Sequence, residues 1–155
     1  MTSHEAPVSF EEKAELASLI RAYIAEMERI IGLPRSDGRY AYFDLYWTEP
    51  EIRWPFWLRV DNRNAGFALV RRNADLARTE MAEFFVVPEF RSRGIGLAAA
   101  RRLISRYPGN WCITQRETNA GAIAFWHRVL DGFVSYEETT TTTDAVRREQ
   151  RFAYP

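Results

Sequence analysis

The sequence predicts an α/β fold in one domain, residues 1–155, with antiparallel pairing at the ends of the sheet. Three observations predict it. The hydrophobic period alternates along the chain between helix-like and strand-like spacing. A glycine turn, RSRGIG at 91–96, stands directly between a strand-like run and a helix-like one. The length of 155 residues, 46% of them apolar, suits a single buried core.

Each element follows from its pattern. Between Phe10 and Ile31, apolar residues at Leu16, Leu19, Ile20, Tyr23, Ile24, Met27, Ile30 and Ile31 trace a 3.6-residue stripe. It begins after Ser9, with Glu12 three residues on, and stops at Gly32, so it predicts one long helix or two abutting ones. The aromatics of RYAYFDLYWTEPE fall on both faces and fit neither period. PFWLRV and AGFALVRR flank Asp61-Asn62-Arg63-Asn64 as a hairpin, and TEMAEFFVV is a third strand ending at Pro88. Gly96 to Tyr107 is a helix, WCITQ a short buried strand, and Ala120 to Leu130 a second helix closed by Gly132. FVSYEETTTTT and AVRREQRFAYP are two strand-like runs joined by a turn near Asp144.

Composition excludes several functions. Lys plus Arg and Asp plus Glu each number 21, so no net field advertises a nucleic-acid or membrane partner, and neither is expected. The single cysteine, Cys112, rules out an intrachain disulfide and a Cys-based zinc site, and no metal is expected. With no secretory h-region or apolar span in the sequence, the expectation is a cytoplasmic protein. The β-rich C-terminal run leaves room for a homodimer.

The turn at 91–96 carries chemistry. A helix N-terminus has unpaired N–H groups and the positive end of the dipole, so it attracts phosphate where the backbone can be approached. Gly94 and Gly96 remove obstructing side chains, and Arg91 and Arg93 add positive charge. A tight turn alone would also explain a GxG. Neither the GxxxxGK[ST] phosphate loop nor a complete dinucleotide fingerprint is present.

Arg91-Ser92-Arg93-Gly94-Ile95-Gly96 matches the Arg/Gln-x-x-Gly-x-Gly/Ala signature of the GNAT N-acetyltransferases, after a strand ending Val86-Val87-Pro88 and before a helix. Asn119, Ala122, Phe125 and Gly132-Phe133 resemble that family's Asn-x-x-Ala-x-x-Phe-Tyr helix and its following Gly-Phe. The two motifs span residues 80–134, and the sequence looks most like a poorly defined branch of predicted acetyltransferases. The resemblance implies a mixed, mostly antiparallel sheet flanked by helices, with an acetyl-CoA cleft at a splayed strand pair. It also implies acetyl transfer to a primary amine, on a small molecule in the first place or else on a protein N-terminus or lysine, within a ternary complex.

Roles follow from the same resemblance. The N–H groups of Arg91, Ser92, Arg93, Gly94, Ile95, Gly96 and Leu97 would cradle the pyrophosphate, with the Arg91 and Arg93 side chains near the phosphates. Phe85, Val86 and Val87 would pair by main chain with pantetheine, and the Val86 N–H would stabilise the oxyanion. Asn119 would bond the pantetheine amides or cap its helix. Phe125 and Trp126 would border the cofactor. Glu83 is the candidate base, or else a strand-end carboxylate paired with an arginine. Trp126 stands where the family carries a tyrosine that protonates the thiolate, and an indole N–H gives up no proton. Tyr136 is then the candidate acid, with Tyr46 or water as alternatives, because a thiol of pKa about 8.5 is a fair leaving group. His127 is expected to be a satisfied surface histidine and Cys112 a core residue. The stretch from Tyr40 to Glu49 supplies either aromatics and carboxylates for a cationic amine or ordinary core. The missing tyrosine also admits an alternative function, an acyl-CoA-binding sensor or interaction module without transfer.

Overall fold

The computed structural model describes residues 2–155. Its centre is a seven-stranded sheet in the order β1-β2-β3-β4-β5-β7-β6, built from β1 (Ser3–Pro7), β2 (Arg53–Val60), β3 (Arg63–Asn73), β4 (Arg78–Val86), β5 (Gly109–Arg116), β6 (Tyr136–Thr142) and β7 (Val146–Tyr154). All neighbours are antiparallel except β4 and β5, which run parallel. β1 is an element that the polar sequence SHEAP does not announce. It is specified by its pairing with β2, Ser3 opposite Val60 through Pro7 opposite Phe56.

The helices are α1 (Lys13–Ile31), α2 (Leu45–Thr48), α3 (Ile95–Arg106) and α4 (Ala120–Leu130). Ser9 and Glu12 form the capping box that opens the first helical segment, and Gly32, in the left-handed region at φ 75°, closes α1. The β2–β3 hairpin turns on Asp61 and Asn62, both at positive φ, so two residues suffice and Arg63 already belongs to β3. The aromatic stretch that fits neither period contains the four-residue α2 and irregular chain around it.

Alternation along the strands divides the core into two layers. Phe56, Leu58, Ala68 and Val70 face α3 and α4 together with Leu103, Trp126 and Leu130. Trp57, Phe67 and Leu69 face the opposite side with Leu16, Ile20 and Tyr46 of α1 and α2. Burying each large apolar side chain contributes on the order of 1.5–3 kcal/mol, so both helical layers are bound to the sheet mainly by these stripes.

β4 carries the irregularity that matters most. Leu69 pairs with Glu83 and Val70 with Met81, leaving Ala82 as a bulge. The extra residue reverses the parity of the strand. Met81, Phe84 and Val86 pack toward α3 and α4, while Ala82, Phe85 and Val87 pack with the α1 layer, where Glu83 meets Tyr23. β4 and β5 share only the pairs Thr79–Trp111 and Glu80–Cys112, beyond which the strands diverge.

On the far side of β5 a polar lock is buried within the sheet. Gln115 and Gln150 exchange amide hydrogen bonds of 2.7 and 2.9 Å, and Gln150 Nε2 also donates to Glu138 at 2.7 Å. Gln150 is fully buried, so removing its amide strands the partner. Gln150→Leu is expected to cost about 1–3 kcal/mol in urea denaturation, and the double change Gln115→Leu/Gln150→Leu less than the sum of the two single changes.

Candidate active site

The gap between the diverging strands is a cavity of about 470 Å³, bordered by Glu83 and Phe84 of β4, Thr114 and Gln115 of β5, Tyr23 of α1 and Asn119 before α4. β4 is paired with β3 except at the Ala82 bulge, and β5 with β7, so the main-chain groups on their facing edges beyond Glu80 and Cys112 have no strand partner. Val86 shows the orientation. The Val87 N–H donates to the Ala65 carbonyl on the β3 side at 2.8 Å. Because successive peptide groups in a strand alternate sides, the Val86 N–H points away from β3, toward the cleft. The Val86 carbonyl points the same way and accepts from Arg91 Nε at 2.8 Å.

In the loop that follows β4, Ser92 and Gly94 have φ 62° and 76°, a left-handed alternation that turns successive N–H groups toward one point. Among the described residues, no N–H from Ser92 to Leu97 has a backbone or side-chain acceptor, and the first bond into α3 runs from the Ala98 N–H to the Gly94 carbonyl. A Cβ on Gly94 would meet nothing within 4 Å. Its absence therefore serves the backbone conformation and leaves the approach open. Gly96 has a different cause: a Cβ there would lie 3.2 Å from Phe125 Cε1 and Val86 Cγ2, so this glycine lets α3 sit against α4 and β4. The buried Ile95 side chain belongs to a small core with Phe90, leaving only its N–H for a ligand.

Arg91 departs from the sequence expectation. Its N–H is spent on the Pro88 carbonyl at 3.2 Å, and its guanidinium makes a double hydrogen bond to Glu26 of α1 at 2.9 and 2.6 Å. A guanidinium with a bidentate carboxylate and a carbonyl holds the loop to α1 instead of facing outward to a phosphate. Arg93 lies over the Phe90 ring and has no carboxylate partner among the described residues. It is the loop arginine that remains available to an anion.

Glu83 is half-buried: the cavity reaches its carboxylate while protein packs around the rest. Tyr23 Oη donates to Oε1 at 3.1 Å. Burial pushes the Glu83 pKa up to about 7, a rise that the Tyr23 hydrogen bond and the charge of Arg71 hold in check. Tyr23 is the partner that sequence reading missed. Its place in the helical stripe explains it as core, and only the fold brings it to a residue 60 positions away.

Asn119 does both things considered for it at different atoms. Oδ1 accepts from the Ala122 N–H at 3.2 Å and caps α4, while Nδ2 lies 3.5 Å from Met27 Sδ on the cavity wall. A thioether is a weak acceptor, so that donor is the less committed one. Phe84 stacks on Phe125 at 5.5 Å and meets Trp126 edge-on at 5.3 Å, fastening α4 to the splayed end of β4.

Tyr136 is not part of this site. β6 is the sheet edge, with β7 between it and β5, and the Tyr136 hydroxyl donates to Asp131 at 2.8 Å in a separate depression beside Trp111. Desolvation and the Asp131 bond push its pKa up to about 12, and its position on the far edge strand separates it from Glu83. Tyr46 is closed off in the core, 1% exposed, with burial pushing its pKa up to about 12. His127 is satisfied at the surface by Glu138 at 2.6 Å, and Cys112 is a buried thiol pushed up to about 12 by desolvation. Asp44 and Glu49 are engaged by Lys13 at 2.7 Å and Arg53 at 2.9 Å, so they offer no cation site at the cleft. No helix among the described residues is long and apolar enough to cross a membrane.

Comparison with known proteins gives a consistent result. Residues 16–131 match the Acetyltransferase (GNAT) family. A 48-residue stretch is 40% identical to the Uncharacterized protein YrkN of Bacillus subtilis, a match that takes in 31% of this chain and 26% of that protein. An acetyltransferase from Thermus thermophilus superposes over 99% of this chain and 97% of its own, with TM-score 0.75 and 14% identity. The PaiA N-acetyltransferase from Thermoplasma acidophilum in complex with coenzyme A covers 98% and 100%, with TM-score 0.68 and 14% identity. The ribosomal-protein-S18-alanine N-acetyltransferase from Escherichia coli covers 98% and 94%, with TM-score 0.65 and 17% identity.

The raised Glu83 pKa gives this site a signature in stability. The folded chain holds a proton that the unfolded chain releases near pH 4.5, so stability falls as pH rises from there to about 7. Glu83→Gln, which keeps an acceptor for Tyr23, is expected to match the parent near pH 4 and exceed it in melting temperature at pH 8. A thermal scan across that range checks the crossover.

Proposed function

The chain belongs to the GNAT acetyltransferase family, and on that premise we propose that it is an acetyl-CoA-dependent N-acetyltransferase, a single catalytic domain that acetylates a primary amine by direct attack. The observation that carries the reading is Glu83, a carboxylate with a near-neutral pKa in the cavity beside an unpaired strand edge, on the strand that leads on through Val86 to the loop and its run of free N–H groups at the start of α3.

The residues present fit acetyl-CoA. The N–H groups from Ser92 to Leu97, with Arg93 beside them, suit a pyrophosphate, and Arg91 acts as the clasp that holds their loop. The edges of β4 and β5 suit an amide-bearing arm laid between them like a strand, with Asn119 Nδ2 as a further donor. Bound there, the cofactor supplies an activated thioester carbonyl.

Glu83 would accept a proton from the attacking amine, since a base near pKa 7 is half ionised at neutral pH and readily reprotonated. Tyr23 fixes its orientation. The Val86 N–H would donate to negative charge on the carbonyl oxygen. Trp126 takes no part in proton transfer, and water suffices for a thiolate that leaves readily.

Two measurements test the assignment. For Glu83→Gln, kcat is expected to fall by about 10²–10⁴ with little change in acetyl-CoA Kd, and the acidic limb of the pH profile near 7 should disappear. An unchanged profile would remove Glu83 as the base. Gly94→Asn and Gly94→Asp both tolerate a left-handed backbone, so comparing them isolates charge. Calorimetry should show acetyl-CoA binding weakened at least about tenfold more by Asp than by Asn. Equal weakening would detach the pyrophosphate from this loop.

A further inference from the structure

A second cavity of about 300 Å³ adjoins the first, sharing Met81, Ala82 and Thr114 with it, and is bordered by Tyr40, Arg71 and Arg78. It is the natural entrance for an acceptor, because it meets the cleft beside Glu83 and the Arg71 charge acts on that carboxylate.

The charges around this cavity are paired, but its spare hydrogen-bonding groups are one-sided. Its one carboxylate is Glu80, which is buried and saturated. Arg71 reaches Oε1 through Nε at 2.7 Å and Nη2 at 2.6 Å, while Arg78 Nε and Asn73 Nδ2 donate to Oε2 at 2.8 and 3.3 Å. Arg78 Nη2 is further balanced by Glu149 at 3.9 Å. Neither guanidinium exhausts its donors: Nη1 of each has no carboxylate partner among the described residues, and Arg71 is about one-third exposed at 35%. The cavity thus presents spare N–H donors and no spare carboxylate. Tyr40, set edge-on to Tyr42 at 5.9 Å, gives it an aromatic wall.

We propose that the acceptor is a primary amine that carries a carboxylate, such as a free α-amino acid, with the carboxylate on Arg71 and Arg78 and the amine at Glu83. This rests on the acetyltransfer reading above. The neutral amine nitrogen forms the new C–N bond to the acetyl carbon, its proton passes to Glu83, and the C–S bond breaks with the electron pair leaving on sulfur as thiolate, which water protonates. A polyamine or aminoglycoside would instead set ammonium donors against guanidinium donors, in a cavity whose one carboxylate is already saturated.

Matched acceptors test this directly: phenylalanine against phenethylamine, O-phosphoethanolamine against ethanolamine, and spermidine alone, by free-thiol release on a sample whose acetyl-CoA binding is measured by calorimetry. The expected result is kcat/KM at least about tenfold higher for phenylalanine than for phenethylamine or spermidine. In Arg71→Met that ratio should collapse about tenfold, and Arg71→Lys should keep part of it. Melting temperature and acetyl-CoA Kd confirm that each variant is folded. Equal or better use of phenethylamine or spermidine, preference for the phosphoamine alone, a ratio unmoved in folded Arg71→Met, or acetyl-CoA binding with no amine used would each overturn the carboxylate assignment. The first three leave acetyl transfer standing. Failure to bind acetyl-CoA would overturn the parent reading, and this one with it.

Discussion

β4 and β5 are held together by two residue pairs and then part, and the whole site depends on that parting. Each strand is paired on its other side, β4 to β3 apart from the Ala82 bulge and β5 to β7, so the divergence leaves the sheet continuous while exposing two inner edges of peptide groups. Unpaired main-chain donors and acceptors inside a protein are costly unless something bonds them. In this molecule they face a cavity, where solvent or an extended ligand can do so. The bulge at Ala82 completes the arrangement by turning Glu83 to the α1 side at the place where the strands separate.

The two layers of the core divide the labour. The α3/α4 side presents the loop, the cap at Asn119 and the aromatic cluster of Phe84, Phe125 and Trp126. The α1/α2 side presents Tyr23 and the tyrosines around Glu83. The carboxylate with the perturbed pKa thus sits on the face of the sheet opposite α3 and α4, at the gap between the strands. A sheet of regular parity would have put the Glu83 side in register with Met81, which instead belongs to the α3/α4 core.

Much of this was legible in the sequence. The helical stripe, the hairpin, the glycine turn and the two later helices each have a local cause, in period, cap or turn residue, and each appears within a few residues of its expected place. β1 was illegible because its sequence is polar and only its neighbour makes it a strand. Among the site residues, the signal was good where backbone conformation carried it, as at Gly94, and poor where side-chain partners decided. Nothing near Arg91 indicates that Glu26, 65 residues earlier, engages its guanidinium. Nothing in VSYEE says that Tyr136 lies two strands beyond β5, since strand order is a long-range property. The acidic residues between Tyr40 and Glu49 were similarly ambiguous until Lys13 and Arg53 were seen to engage them.

Tyr23 and Glu26 stand three residues apart on one face of α1, and the first holds the carboxylate of Glu83 while the second holds the loop through Arg91. Three residues of helix rise about 4.5 Å, and that length does not stretch. α1 is therefore a gauge: the separation between the glycine loop and the Glu83 carboxylate is set by helical pitch on one side and by the run of β4 from Glu83 to Val86 on the other. An insertion or deletion within that turn of α1 would put the two ends out of step even where every residue that touches a ligand remained in place.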